Sequence, residues 1–132
     1  MIRRLPALLL LTASACGPQP LRVVMNAENN SGQSGFAVLT ALSSSKTRVE
    51  IDVAASNDPR PQPAHVHEGR CGEIGGIKAG LANLAPDAKK PGRFTSTTEI
   101  DVGLDTLEKG TFAINAHDVR DFSLYITCGQ VH

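Results

Sequence analysis

The sequence is poor in aromatic residues and has no excess of charge of either sign. It contains no tryptophan, one tyrosine and four phenylalanines, and its 13 basic residues balance its 13 acidic ones. The scarcity of aromatic rings argues against an aromatic-lined ligand pocket, while the frequent Val, Ile, Leu and Thr residues favour β-strands. Because no basic run or basic-aromatic patch is present, nucleic acid is not an expected partner. The 132 residues are enough for one domain.

The sequence also lacks an apolar run long enough to span a membrane as a helix. Its N-terminal apolar stretch covers only residues 5–11 and follows Arg3 and Arg4. A short apolar stretch after positive charges is typical of a secretory signal peptide, which we place at residues 1–15. Cleavage there leaves 11 basic residues against 13 acidic ones, so the mature chain is slightly acidic.

Small residues precede the first cysteine, in the run Ala13-Ser14-Ala15-Cys16. This run resembles a bacterial lipoprotein signal, in which the cysteine is lipidated and anchors the protein to a membrane. The alternative is ordinary cleavage that leaves Cys16 as a free thiol. We therefore expect a protein of the cell envelope or periplasm, with a lipidated cysteine and tether at residues 16–20 and a folded domain at residues 21–132.

Only two cysteines remain for the folded domain, Cys71 and Cys128. An even pair in an exported domain most often forms a disulfide bond, because the compartment is oxidising. Two free thiolates that bind a metal ion are the less favoured alternative.

Alternating apolar residues predict an all-β domain. Residues 47–54 give the clearest example, since Val49, Ile51 and Val53 share one face of a strand and the charged residues between them share the other. We predict eight short strands, at residues 21–28, 35–42, 47–54, 64–68, 80–85, 95–102, 111–117 and 123–128. Residues 56–63 and 69–78 are predicted as loops, and residues 104–110 as a helical turn or a tight corner. An antiparallel sandwich or barrel follows from this pattern.

Three of the four histidines form a candidate metal site. His65 and His67 are two residues apart on a predicted strand, so their side chains point to the same face. Such a pair alone is more often two surface histidines. His117, however, ends another strand, and a Cys71–Cys128 bond would tie the segments after the histidines together. Imidazole ligands suit copper, zinc or nickel. Glu68 and Asp118 adjoin ligand histidines but point to the opposite face, so we do not expect them to bind the metal.

Five motifs follow one another along the chain: His65-Val66-His67-Glu68, Cys71, Gly80-Leu81-Ala82-Asn83, Ile114-Asn115-Ala116-His117 and Thr127-Cys128-Gly129. In order and approximate spacing, over nearly the whole mature chain, they resemble the copper,zinc superoxide dismutase family. The resemblance implies an eight-stranded antiparallel Greek-key barrel. It also implies that His65, His67 and His117 bind copper and that Cys71 and Cys128 form the family's disulfide bond.

The chain departs from the family in its other metal ligands. No histidine lies between His67 and His117, so the histidine that bridges copper and zinc is missing, together with the zinc histidines. Gly80 stands where the family has a zinc-binding aspartate. We therefore expect copper and no zinc. His132 could supply a fourth copper ligand if the C-terminal tail folds back, although a frayed tail is the more common outcome for a chain end.

The family's anion-guiding arginine is also replaced, since Tyr125 occupies its position. Arg120 is the nearest substitute, and its alternative is a solvated arginine in a turn. The sequence thus favours a copper-only superoxide dismutase, which converts superoxide to dioxygen and peroxide. The main alternative is a lipid-anchored protein that sequesters or delivers copper ions without catalysis. A purely structural barrel with an empty site is the third and least favoured alternative.

Overall fold

The computed structural model describes residues 9–10 and 19–132. These residues form eight strands and one short helix: β1 (Leu21–Ala27), β2 (Gly35–Ser43), β3 (Lys46–Ala54), β4 (Gln62–Arg70), β5 (Glu73–Pro86), β6 (Arg93–Ile100), α1 (Leu104–Lys109), β7 (Phe112–His117) and β8 (Tyr125–Val131). All strand pairs are antiparallel and close into a barrel in the order β1-β2-β3-β6-β5-β4-β7-β8. The predicted all-β, eight-stranded barrel is confirmed.

The strand order gives the barrel a Greek-key topology. Strands β4, β5 and β6 are consecutive neighbours, and β7 then returns to pair with β4 on its free side. This spatial order, 7-4-5-6, is that of a Greek key. The return brings β7 beside β4 although the chain passes through β5, β6 and α1 between them, and it therefore brings the two candidate ligand segments together.

The interior of the barrel is filled with aliphatic side chains, as the alternating pattern predicts. In β3, Val49, Ile51 and Val53 are buried in the core, while the residues between them are exposed or half-buried. In β7, Ile114 and Ala116 belong to the same core. Because successive side chains of a strand alternate between faces, the residues between these positions lie on the outer surface of the barrel.

The predicted loop at residues 69–78 is wrong, because β5 begins at Glu73. Gly72 has a φ of 91° in the tight turn between β4 and β5, a conformation that favours glycine. Gly75 lies so close to β4 that a Cβ atom there would be 2.9 Å from the Glu68 carbonyl oxygen. The glycines that suggested a loop therefore permit a tight turn and a close strand pair.

The predicted loop at residues 56–63 also ends too late, because β4 starts at Gln62. The side-chain amides of Gln62 and Gln33 are buried and hydrogen-bond each other in both directions, at 2.8 and 3.0 Å. Pro63 lies at a shift of register between β4 and β5, a place where a strand tolerates proline. The predicted helical turn near residue 104 is confirmed as α1, which buries Leu104 and Leu107.

The export signal and the lipidation site cannot be followed in the structure. Cys16 and nearly all of the predicted signal peptide lie outside the described residues. In the described ranges, none of the helical structure is long and apolar enough to cross a bilayer.

Candidate metal centre

The histidine pair of β4 lies on the outer face of the barrel. Ala64 and Val66 point into the core, so His65 and His67, which alternate with them, point outwards. On β7, which pairs with β4, Asn115 is directly opposite His65. His117 follows two residues later on the same outer face. The structure thus confirms the common face of His65 and His67 and brings His117 to the same group.

The three imidazole rings converge on one point. One ring nitrogen from each of His65, His67 and His117 lies within 4.8 Å of the other two. The distance between His65 Nδ1 and His117 Nε2 is 3.2 Å. Two nitrogens that bind one ion at about 2.0–2.1 Å in a tetrahedral arrangement are separated by roughly this distance. The group could therefore hold a metal ion.

Backbone carbonyl groups fix the protonation of two rings. His67 Nδ1 is 2.9 Å from the carbonyl oxygen of Gly75, and His117 Nδ1 is 2.8 Å from that of Phe122. Since a carbonyl can only accept, each Nδ1 carries the hydrogen and each Nε2 presents a lone pair. In metal-binding histidines, the ring nitrogen that does not bind the ion typically donates a hydrogen bond that orients the ring.

The donor set fits a metal ion because His67 Nε2 needs a partner. The side chain of His67 is only 6% exposed, and its Nε2 is buried without a hydrogen bond. A buried nitrogen lone pair without a partner is unfavourable, and an ion held between the three rings would satisfy it. The ligand atoms would then be Nδ1 of His65 and Nε2 of His67 and His117.

The surroundings of His65 favour its neutral form. Burial lowers the pKa of His65, and the neighbouring His117 and then His67 lower it further, because their positive forms would repel a charged His65. The neutral imidazole is the form that binds a metal ion. The lowered pKa of His65 therefore favours the form of this ring that binds a metal ion.

A disulfide bond joins the turn after β4 to β8. Cys71 and Cys128 are bonded, with their Cα atoms 5.9 Å apart, which confirms the predicted pair. The backbone N–H of Cys71 also donates to Gln130 Oε1 at 3.0 Å. Cys128 lies directly opposite Asn115 on β8. The end of β4 is thus attached to β8 across the outer face of β7.

Arg120 is paired with an acid rather than free. Its guanidinium donates to both carboxylate oxygens of Asp118, at 2.7 and 3.0 Å, and its backbone N–H donates to the same group. These hydrogen bonds lower the pKa of Asp118 to about 2, so the carboxylate stays charged and compensates the arginine. The anion-guiding role of Arg120 stays a prediction.

His132 is not brought into the histidine group. Strand β8 continues to Val131, which pairs with Phe112 at the start of β7, while His117 pairs with Tyr125 at the other end. His132 therefore follows the end of β8 that lies away from His117. The expected frayed tail is wrong as far as Val131, since that residue is buried in the barrel. Glu68 is exposed and outside the group, as predicted.

Sequence reasoning missed the groups that support the ligands. The carbonyl oxygens of Gly75 and Phe122 give no signal in a sequence, because their direction depends on the fold of the surrounding chain. The ring of Tyr125 packs edge-on against that of His117, with centroids 5.0 Å apart. Asn115 could have been noticed, since it is the one polar residue between the apolar residues of β7 before His117.

No protein-family profile, no curated protein and no solved structure matches the chain. The resemblance to the copper,zinc superoxide dismutases therefore stays a prediction from the motifs in the sequence.

Proposed function

We propose that the protein is a copper-binding, superoxide dismutase-like protein of the cell envelope. The observation that carries this proposal is the convergence of three imidazole nitrogens, two of which have their tautomer set by a backbone carbonyl. A donor set of imidazoles alone suits copper, zinc or nickel, and among these divalent ions copper binds most tightly to a given site. The strand order and the disulfide bond support the same family.

The residues of the chain would divide the work in the following way. His67 is buried and held by Gly75, so it gives a fixed position for the ion. His65 and His117 are half-buried, which leaves the solvent side of the site open to a small anion. When copper is bound, its Cu(II)/Cu(I) couple supplies the electron transfer by which one superoxide becomes dioxygen and a second, with two protons, becomes hydrogen peroxide.

The pairing of Arg120 with Asp118 favours a second function, copper sequestration or delivery without catalysis. Because Asp118 compensates its charge, Arg120 adds little positive potential that would attract superoxide. Loss of such steering can lower an encounter rate by roughly 10-fold or more. If the protein is a dismutase, we therefore expect it to react with superoxide more slowly than an enzyme with a free arginine at its site.

Superoxide removal by the copper-loaded mature protein tests both functions. The protein, loaded with one equivalent of copper, is compared with a His117→Ala variant, which loses one ligand, and a His132→Ala variant, which loses the one histidine outside the group. Pulse radiolysis measures the decay of superoxide. Turnover in the wild type and in His132→Ala, but not in His117→Ala, supports the enzyme.

The copper content of the same samples distinguishes a copper-sequestering or copper-delivering protein from an enzyme. Tight binding of one copper ion without turnover, lost in His117→Ala and kept in His132→Ala, supports sequestration or delivery. A zinc-loaded sample gives the blank, because zinc has no redox couple. Equal copper binding by all three proteins contradicts both functions.

We also propose that the mature protein is anchored to a membrane through a lipid on Cys16. The support is the sequence alone, namely the small residues before Cys16 and the apolar stretch before them. In a bacterial host, the wild type should partition with membranes and incorporate a labelled fatty acid. A Cys16→Ser variant should do neither, and a Cys16→Ser variant that still fractionates with membranes would contradict the anchor.

A further inference from the structure

Asn115 is a buried amide without a partner. Its side chain is 0% exposed, yet neither Oδ1 nor Nδ2 forms a hydrogen bond. An amide buried in this way is unfavourable and rare in folded proteins, and a bound ion or water molecule is one explanation for it. Across the described part of the chain, the buried side-chain atoms that lack a partner are these two and His67 Nε2. The unsatisfied polar atoms are therefore confined to one site.

Asn115 lies at the base of the histidine group. It is directly opposite His65 on β4, and it precedes His117 by two residues on the same face of β7. His67 is its diagonal neighbour, since the residue opposite His67 is Ala113. Residues that are opposite or diagonal across strands are close enough for their side chains to interact. Asn115 thus has one ligand residue opposite it, one diagonal to it and one two positions along its own strand.

Asn115 is more deeply buried than two of the three histidines. His65 and His117 are half-buried, whereas Asn115 is completely buried. Cys128, opposite Asn115 on its other side, is tied into the disulfide bond and presents no hydrogen-bonding group there. An ion held between the three rings is therefore the partner that the site offers to the unpaired amide oxygen.

We propose that Oδ1 of Asn115 is the fourth protein ligand of the metal, bound from the barrel side. This inference rests on the proposed copper site. A carboxamide oxygen is a weak, neutral ligand for copper, and a weak ligand of this kind adjusts the reduction potential of a copper centre. By adding an oxygen donor, Asn115 stabilises Cu(II) relative to Cu(I). It occupies the coordination position that no fourth histidine can fill, and it leaves the solvent side free for an anion.

The test compares the wild type with two variants of the mature protein. Asn115→Leu has a similar size and no oxygen, and Asn115→Asp keeps an oxygen and adds a charge. The measured quantities are the electron paramagnetic resonance spectrum of the Cu(II) form and the copper reduction potential. We expect Asn115→Leu to bind Cu(II) about 10-fold more weakly relative to Cu(I), in line with the loss of a supporting group at a metal site. For a one-electron couple this raises the potential by about 59 mV. Asn115→Asp should lower it.

The two proposals fail in different ways. If the wild type binds copper and Asn115→Leu has the same spectrum and the same potential, Asn115 is not a ligand, and the three-histidine site stands. If the wild type binds no copper, both proposals are overturned. Should Asn115→Leu fail to fold, Asn115→Asp decides the question, because an unchanged potential in that variant excludes coordination through this side chain.

Discussion

Two parts of the barrel wall pack against the same core but differ in the chemistry of their outer surfaces. The charged wall consists of β3 and β6, whose outward residues include Arg48, Glu50, Asp52, Arg93 and Glu99. The histidine wall consists of β4, β7 and β8, whose outward residues include His65, His67, Asn115, His117 and Cys128. Inside, both walls contribute aliphatic side chains to the same core.

The difference lies in how each wall satisfies its polar groups. On the charged wall, exposed ion pairs such as Arg93 with Asp52 and Arg48 with Glu99 satisfy one another in contact with water. On the histidine wall, buried atoms of His67 and Asn115 have no partner. Solvated ion pairs are common on any protein surface, whereas buried polar atoms without a partner are rare and are expected at functional or strained sites.

Loss of the disulfide bond of the histidine wall should have the largest effect on stability. A Cys71→Ser, Cys128→Ser double variant opens a loop of 57 residues, and chain entropy predicts a loss of about 4 kcal/mol in the free energy of unfolding. Urea denaturation at neutral pH measures it. Wild-type protein treated with a reductant should show the same loss. A difference below about 1 kcal/mol would mean that the crosslink does not stabilise this wall.

A smaller loss of stability should follow from adding a side chain at Gly129, where β8 lies close to the core-facing side chains of β1. A Cβ atom there would lie 2.5 Å from the Met25 sulfur and 2.8 Å from Val23 Cγ1. Gly129→Ala should therefore destabilise the barrel by about 1–3 kcal/mol, the usual cost of overpacking.

Gly80→Ala provides the matched control for Gly129, because a Cβ atom at Gly80 meets nothing within 4 Å. Since alanine restricts the unfolded chain more than glycine, this variant should be unchanged or slightly more stable. Thermal unfolding compares the two variants. Equal losses at both positions would contradict the close contact between β8 and the core.

The smallest effect is expected on the charged wall. Partial burial raises the pKa of Asp52, but hydrogen bonds from Arg93 and Lys90 and their charges outweigh it, so the pKa lies below its usual value. A lowered pKa means that the contribution of Asp52 to stability is present above about pH 4 and is lost as the pH falls through the pKa of the folded state.

The variant Asp52→Asn tests the direction of this pKa shift. Because the pair is half-exposed, the variant should lose no more than about 1 kcal/mol near neutral pH. The difference from the wild type should shrink in acid and in high salt, as measured by urea denaturation across pH. A difference that grows as the pH falls would show that the direction of the pKa shift is wrong.

The sequence was most informative where a pattern repeats with the period of a strand. The alternation of Val49, Ile51 and Val53 predicted the two faces of β3, and the spacing of His65 and His67 predicted their common face. The disulfide bond was predicted from an even pair of cysteines in a domain that we expect to be exported. These features depend on local geometry or on simple counting, so no knowledge of the packing was needed.

The features that the sequence did not reveal depend on contacts between distant segments. The glycines of β5 look like a loop until β4 is placed beside them, and the pairing of Gln62 with Gln33 joins residues that are 29 positions apart. The burial of Asn115 is set by its neighbours on β4 and β8 rather than by β7 itself. Copper itself, the enzymatic activity and the lipid anchor stay predictions.

X-ray absorption spectroscopy at the copper edge of the mature protein, loaded with one equivalent of copper, tests the central claim most directly. Three converging imidazoles should give a single copper environment with the outer-shell scattering of three histidine rings, reduced to two in a His67→Ala variant. A spectrum with a sulfur neighbour, with fewer than three imidazoles in the wild type, or with no change in His67→Ala would contradict the three-histidine copper site.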